Sequence, residues 1–164
     1  QDGVISGGMI PKVIGCLDLE IERLERTVLA RAKIKPEFKK LLTVDGIGPI
    51  LGMTIMYEMG SVDRFSEVGH FASYARCVSS SRWSNGKRKG SGNRKNGNKY
   101  LAWAFVEAAH YAARFNERVR RFYQRKKAKT SGVVAVKAVA HKLARACYHV
   151  IKDQVPFDVE RAFA

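Results

Sequence analysis

Cysteine is scarce in this sequence, and its few cysteines are not spaced for a shared function. Cys16, Cys77 and Cys147 are the only three in 164 residues, and their separations exclude a disulfide framework and a zinc knuckle. Free thiols in a reducing cytosol are the simplest account of them. Long apolar runs are also missing, since none approaches the roughly 20 residues of a membrane span, and no secretory signal is visible. The sequence therefore predicts a cytoplasmic protein without a membrane partner.

Acidic residues are the second scarcity. The chain has 15 Asp and Glu against 30 Lys and Arg, a net charge of +15, and no acidic residue occurs between Glu67 and Glu107. Such a field favours a polyanionic partner, because each phosphate contact releases condensed counterions. Carboxylates such as Asp45 and Glu58 are too scattered for a two-metal site, and the histidines lack metal-ligand spacing. We expect a nucleic acid as the partner and no metal ligands in this chain.

An apolar seam marks the N-terminal segment, residues 1–35. After a glycine-rich linker, apolar residues recur at alternating steps of four and three, at Ile10, Ile14, Leu17, Ile21, Leu24 and Val28. This spacing predicts a coiled-coil-like helix, whose seam either packs on the rest of the chain or pairs with a second chain. The stripe is narrow for a globular helix, which favours a homodimer or a higher homo-oligomer. Because the chain begins with Gln1 rather than Met, we also expect it to be part of a longer protein.

The pattern over residues 36–164 predicts a separate helical domain. A short helix through Phe38 and Leu42 is expected first, then helices at about 49–59, 66–75, 101–122 and 133–150. The helix that begins at residue 101 is expected to end in the polar run 124–130. Residues 76–99 lack periodicity and are rich in glycine, serine and basic residues, so we expect a loop. No strand pattern of any strength is present. The predicted fold class is all-α.

Two glycines lie between the first two helices of this domain. Gly46 and Gly48 flank Ile47, and Pro49 follows where the next helix begins and where its missing N–H costs nothing. The free N–H groups of that helix start can hold a phosphate oxygen. Residues 41–59 are therefore predicted to form a helix-hairpin-helix that grips the DNA backbone. An ordinary helix–helix turn without a ligand is the alternative interpretation.

The basic segment, residues 76–99, contains the plausible nucleophiles. A serine hydroxyl can attack a phosphodiester and keep the DNA end as a phosphoserine ester, while nearby Arg and Lys stabilise charge on the phosphate oxygens. Composition alone does not choose among the serines of this segment, which are Ser79, Ser80, Ser81, Ser84 and Ser91.

Several segments together resemble the C-terminal transposase domain of the insertion sequence one-hundred-ten family, which includes a pilin-gene invertase and bridge-RNA-guided recombinases. The motifs that carry the resemblance are Asp45-Gly46-Ile47-Gly48-Pro49 and Ser84-Asn85-Gly86-Lys87-Arg88 within residues 41–49 and 84–90, and residues 64–65, 71–75, 95–101, 107–109, 138–143 and 156–158. The resemblance implies a DNA transposase that works with a RuvC-like domain and a guide RNA. The Mg²⁺ is expected in that domain and no cofactor in this chain, so the chain alone is predicted not to cut DNA.

The resemblance also implies residue roles. The family serine, usually followed by two glycines, matches Ser84, and Ser81 is the second candidate because Asn85 replaces the first glycine and residues 76–79 lack the usual Gly-Leu-x-Pro. The residues implied to bind nucleic acid are Gly46, Gly48, Arg82, Lys87, Arg88, Lys89, Arg94, Lys95, Asn98 and Lys99. A bacterial, nucleoid-associated location follows. The alternatives are a non-catalytic helix-hairpin-helix module and a domain that acts mainly in assembly.

Overall fold

The computed structural model describes residues 9–78, 81–91 and 96–164, without the side chains of residues 9–13, 81–83, 88 and 91. The helices are α1 (Met9–Ile34), α2 (Pro36–Leu41), α3 (Pro49–Met59), α4 (Val68–Tyr74), α5 (Lys99–Phe115), α6 (Glu117–Lys129), α7 (Gly132–Lys152) and α8 (Val159–Ala162). A 3-10 turn spans Val62–Arg64, and the strands are β1 (Ser81–Ser84) and β2 (Lys87–Ser91). The predicted all-α fold class is confirmed, apart from this strand pair.

The chain divides into two compact units, residues 1–35 and residues 36–164. In the first unit, α1 is the helix that the four-and-three spacing predicts, and its seam residues from Ile14 to Val28 are 41–58% exposed. The predicted linker spans residues 1–9; Met9 instead begins α1, and residues 1–8 lie outside the described residues. Within the described part of the chain, none of the helices combines the length and apolar character needed to cross a bilayer.

The core of the second unit is a contact between α5 and α7. Alanines of α5 such as Ala108 and Ala112 are fully buried, and α7 contributes Val139, Leu143 and Cys147, which are also fully buried. Three aromatic residues join α4 to these helices: Phe71 of α4 lies edge-to-face on Phe105 at 5.9 Å between ring centroids and is stacked with Tyr148 at 6.2 Å. The buried Tyr148 hydroxyl donates to the carbonyl of Phe65 at 3.0 Å, which satisfies its polar atom.

The expectation of one long helix over residues 101–122 was wrong. The helix breaks at Asn116, where the backbone is extended (φ −106°, ψ 123°). The Asn116 side chain accepts from the N–H groups of Arg118 and Val119 at 2.9 and 3.1 Å and so caps α6. Its amide also donates to Asp45 at 2.8 Å, which fixes the turn before α3 to the α5–α6 junction.

The expectation that residues 76–99 form a loop without strands was also wrong. Strands β1 and β2 pair antiparallel, with Ser84 opposite Lys87, and the pairing shifts between Arg82 and Trp83. Asn85 and Gly86 form the connection, with φ values of +52° and +71°. Positive φ at both central positions is the geometry of a type I′ turn, whose twist matches that of the paired strands. The segment is therefore a β-hairpin at its tip.

A candidate nucleic-acid interface

The base of the basic segment is closed by contacts between its two ends. Arg76 donates from its guanidinium to the carbonyl of Gly97 at 3.1 and 2.8 Å, and the N–H of Asn98 donates to the carbonyl of Tyr74 at 2.7 Å. Gly97 has φ +91°, and a Cβ there would lie 2.4 Å from the Tyr74 carbonyl oxygen. Only glycine fits this approach. The hairpin is thus held at its base by the rigid end of α4 and the start of α5.

Asn98 caps α5, and its side chain is fully used within the protein. Its carbonyl oxygen accepts from the N–H groups of Tyr100 and Leu101 at 2.8 and 3.0 Å, and its amide donates to Glu58 at 2.5 Å. The pKa of Tyr74 is lowered by its hydrogen bond with Asn98 and then by that with Arg64. Sequence reasoning assigned Asn98 to nucleic-acid binding and missed Glu58 and Tyr74 as its partners. The structure thus shows Asn98 as the cap of α5 at the base of the hairpin, and its binding of nucleic acid stays a prediction.

Ser84 lies at the tip of the hairpin. It is the last residue of β1, it is exposed, and it faces Lys87 across the strands. Residues directly opposite in an antiparallel pair have Cβ atoms about 4.5–5.5 Å apart on the same face. The side chains of Ser84 and Lys87 therefore leave the hairpin on the same exposed face. Asn85 adopts the left-handed conformation of the turn, which asparagine tolerates better than other non-glycine residues, so its replacement of glycine keeps the hairpin.

Three basic side chains in and beside the hairpin are not neutralised by carboxylates of the described residues. Lys87, Lys89 and Lys99 are exposed, and none of them forms an ion pair within the described residues. The Lys99 ammonium lies over the Tyr100 ring at 4.9 Å from its centroid. Arg82 and Arg88 belong to the strands, but their side chains lie outside the described residues, as do those of Ser81 and Ser91. Also outside them are Ser79, Ser80, Arg94 and Lys95.

The two glycines before α3 have different environments. Gly46 has φ +84°, and a Cβ there would lie 2.3 Å from the Ala108 carbonyl oxygen and 2.7 Å from the Ala112 nitrogen. Gly48 is exposed, and a Cβ there meets nothing within 4 Å. It occupies the N-cap position of α3, which Pro49 begins and which no side chain caps. Two helices joined by a turn thus occupy residues 36–59. Their identity as a DNA-binding helix-hairpin-helix stays a prediction.

Metal ligands do not converge in the described part of this chain, where no group of three or more His, Cys, Asp or Glu side chains could hold one ion. The Mg²⁺ that the resemblance implies stays a prediction about the RuvC-like domain.

Comparison with known proteins gives a consistent family match. A family model described as "Transposase IS116/IS110/IS902 family" matches residues 38–124, which is more than half of the chain. A Pseudomonas aeruginosa protein named "Probable family 20 transposase" is 28% identical over 98 residues, which cover 60% of this chain and 29% of that relative. The aligned region therefore spans less than a third of the relative's length. The family match includes the turn before α3, the base of the hairpin, Ser84 and all of α5. The resemblance in sequence is confirmed, and the chain belongs to the IS116/IS110/IS902 transposase family.

Proposed function

We propose that this chain binds DNA and supplies Ser84 as the nucleophile for strand cleavage and exchange, together with a RuvC-like domain. One observation carries the proposal: Ser84 is exposed at the tip of a β-hairpin, directly opposite Lys87. A serine in this position can reach a phosphodiester without any movement of the core. The ammonium group beside it attracts the phosphate oxygens and stabilises the charge that they gain during attack.

The reaction exchanges one phosphate ester for another. The Ser84 oxygen forms a bond to phosphorus while the bond from phosphorus to one deoxyribose oxygen breaks. The proton lost by the serine balances the proton that the departing oxygen takes up. Because the phosphoserine ester keeps the energy of the original linkage, attack by a different deoxyribose hydroxyl can rejoin the strands and release Ser84.

Cations of the hairpin and N–H groups at the start of α3 would hold the DNA backbone. The basic side chains assigned to this role are Lys87, Lys89 and Lys99 together with Arg82, Arg88, Arg94 and Lys95. The uncapped start of α3 at Gly48 supports a further phosphate contact through its first-turn N–H groups. Gly46 serves this contact indirectly, because its packing on α5 sets the position of the turn.

The wider proposal follows the family. A guide RNA selects the DNA partners, the protein is a homodimer or a higher homo-oligomer, and it works at the bacterial nucleoid in the cytoplasm. The RuvC-like domain brings Mg²⁺, and the present chain alone does not cut DNA. The alternative is a non-catalytic module that only binds the DNA or RNA backbone, and it differs in having no covalent step at Ser84.

The double variant Lys87→Gln, Lys89→Gln tests the DNA contact of the hairpin. We expect the slope of log affinity against log salt for duplex DNA to become shallower by about 0.9 for each phosphate that the variant no longer binds. Fluorescence anisotropy with a labelled duplex at several salt concentrations measures it. The control Arg23→Gln, Arg26→Gln removes the same charge from α1, where both arginines are paired with glutamates. Equal slopes for the two double variants would contradict the proposed contact.

The seam of α1 predicts self-association through a coiled coil. Leu17 lies on the seam and is 58% exposed, so its burial against a second chain would stabilise a dimer. Leu17→Asp is expected to produce monomers at concentrations where the parent chain is dimeric, as measured by sedimentation equilibrium. The control is Leu19→Asp, because Leu19 is 69% exposed but lies off the seam. A Leu17→Asp chain that stays dimeric would rule out the coiled coil.

A further inference from the structure

A cavity on the second unit carries basic side chains that the proposed function does not use. It lies between the C-terminal half of α7 and residues 155–162, and its volume is about 440 Å³. This volume is within the range of about 300–1,000 Å³ that is typical of small-ligand sites. His141 and Arg145 of α7 and Arg161 of α8 line it, and Val155, Pro156 and Phe157 supply an apolar wall.

The wall of the cavity is fixed by contacts with the rest of the unit. Lys142 donates from its ammonium group to the carbonyl of Ala162 at 2.8 Å, and the N–H of Phe157 donates to the Thr43 hydroxyl at 3.0 Å. Lys142 also lies 5.2 Å from the centroid of the Phe122 ring. Because these contacts fix α7 and residues 155–162 to the rest of the unit, the cavity exists without a bound ligand.

The carboxylates in and around the cavity are engaged by other groups of the protein. Asp158 caps α8 by accepting from the N–H groups of Glu160 and Arg161 at 2.9 and 3.2 Å. Glu160 pairs with Arg118 at 2.6 Å, and Asp153 contacts His149 at 3.2 Å. Within residues 96–164, which the structure describes without gaps, neither Arg145 nor Arg161 forms an ion pair.

The positive charges of the cavity act on one another and on His141. Burial lowers the pKa of His141, and the charges of Arg145 and Lys142 lower it further. The pKa of Lys142 is lowered by burial first and then by Arg145, Arg125 and Lys126. Repulsion between Arg145 and Lys142 is relieved when an anion binds between them.

Basic side chains also lead from the hairpin towards the cavity. Lys137, His141, Arg145 and His149 recur every four residues along α7, so they form one stripe on its surface. Lys137, the first residue of the stripe, lies close enough to Cys77 for its charge to lower the pKa of that thiol, which burial raises to about 12. Lys137 and Arg145 supply positive charge along this stripe in the direction of the cavity.

We propose that this cavity is a second binding site for the DNA strand, where Arg145 and Arg161 hold a phosphate and the apolar wall contacts the adjoining sugar or base. The inference rests on the proposed function, because it assigns the DNA bound at the hairpin an exit path along α7. A nucleotide suits both parts of the cavity, since its phosphate is anionic and the faces of its base are apolar.

The double variant Arg145→Gln, Arg161→Gln tests the site, with anisotropy of a labelled single-stranded DNA as the readout. We expect affinity to fall on the order of tenfold and the salt slope to become shallower by about 0.7 for each phosphate that is released. Arg23→Gln, Arg26→Gln serves as the charge-matched control, and thermal melting followed by circular dichroism checks that the variants fold. If the cavity variant binds like this control while Lys87→Gln, Lys89→Gln weakens binding, the cavity proposal is overturned and the proposed function stands.

Two further probes identify the ligand, with the NMR signal of the His141 imidazole as the readout. Deoxyadenosine monophosphate at millimolar concentration should shift this signal in the parent chain and not in the cavity variant, and the DNA strand should displace it. Tight binding of the mononucleotide that the strand does not displace would overturn the assignment to a DNA strand. The assignment would also be overturned if an RNA oligonucleotide of the same sequence bound more tightly than the DNA strand and if only the affinity for RNA fell in the cavity variant.

Discussion

Replacement of Ser84 by alanine is expected to abolish strand cleavage and recombination by the full-length protein that carries this chain, while DNA binding is retained. Removal of the attacking hydroxyl eliminates the covalent step itself, so the rate should fall by a factor on the order of 10³ or more. Ser84 is exposed, and substitution at such a position changes the free energy of unfolding by about 0.5 kcal/mol or less. Recombination between plasmid-borne sites and anisotropy on the same DNA measure the two effects separately.

Ser81→Ala is the matched control for this experiment, because Ser81 lies on the same strand as Ser84 and is the second candidate in the sequence. We predict that Ser81→Ala recombines at a rate close to that of the parent protein. Loss of recombination in Ser81→Ala with full activity in Ser84→Ala would move the nucleophile to Ser81. Activity in both variants would favour the non-catalytic binding module.

Substitution of Gly46 by alanine is expected to have the largest effect on stability. The new methyl group would lie 2.3 Å from a backbone oxygen and 2.7 Å from a backbone nitrogen of α5, neither of which can move without distorting that helix. Overpacking of this kind and the left-handed backbone together cost on the order of 3 kcal/mol. Because a domain of this size is stable by only about 5–15 kcal/mol, the urea midpoint should fall clearly at an unchanged m value.

Gly48→Ala is the corresponding control in the same turn. Gly48 has φ −88°, and an added methyl group meets nothing, so the cost should be below about 1 kcal/mol. The pair of variants also separates two roles for Gly46. A Gly46→Ala chain that keeps its stability and binds DNA more weakly would assign Gly46 to phosphate binding and contradict its role in packing on α5.

The helices could be predicted because their apolar residues recur at helical spacing. The steps of four and three along α5 and α7 follow from one buried face on each helix, and they place residues such as Leu101, Phe105 and Leu143 in the core. The break at Asn116 could not be found in this way, since the apolar spacing continues across it. What decides the break is a side chain that caps α6 and at the same time binds Asp45, a residue distant in sequence.

The hairpin was missed although the sequence contains a signal for it. Asn85-Gly86 is the dipeptide preferred in two-residue type I′ turns, but the flanking strands are basic and polar rather than alternating in hydrophobicity. The lack of periodicity and the abundance of glycine, serine and basic residues indicated a loop. Exposed strands bury little apolar surface, so the turn geometry and the closed base determine the structure of this segment more than a hydrophobic pattern does.

The site could be predicted only in part from the sequence. Ser84 and its basic neighbours stand out by composition and by family motif, and both criteria are local. Gly46 packs on α5, and Asn98 donates a hydrogen bond to Glu58. No local sequence pattern reveals these contacts. Both residues shape the interface by fixing the turn before α3 and the base of the hairpin. The basic cavity is likewise formed by segments that are distant in sequence and come together only in the fold.

The central claim is that the Ser84 hydroxyl attacks DNA, and its most direct test is to trap the covalent product. Full-length protein is incubated with a nicked, labelled DNA substrate that cannot be rejoined. The protein is then denatured and digested with protease, and its peptides are analysed by mass spectrometry. We predict a nucleotide adduct on the peptide that contains Ser84 and none with Ser84→Ala. An adduct on another residue, or DNA cleaved with no adduct on the protein, would contradict the claim.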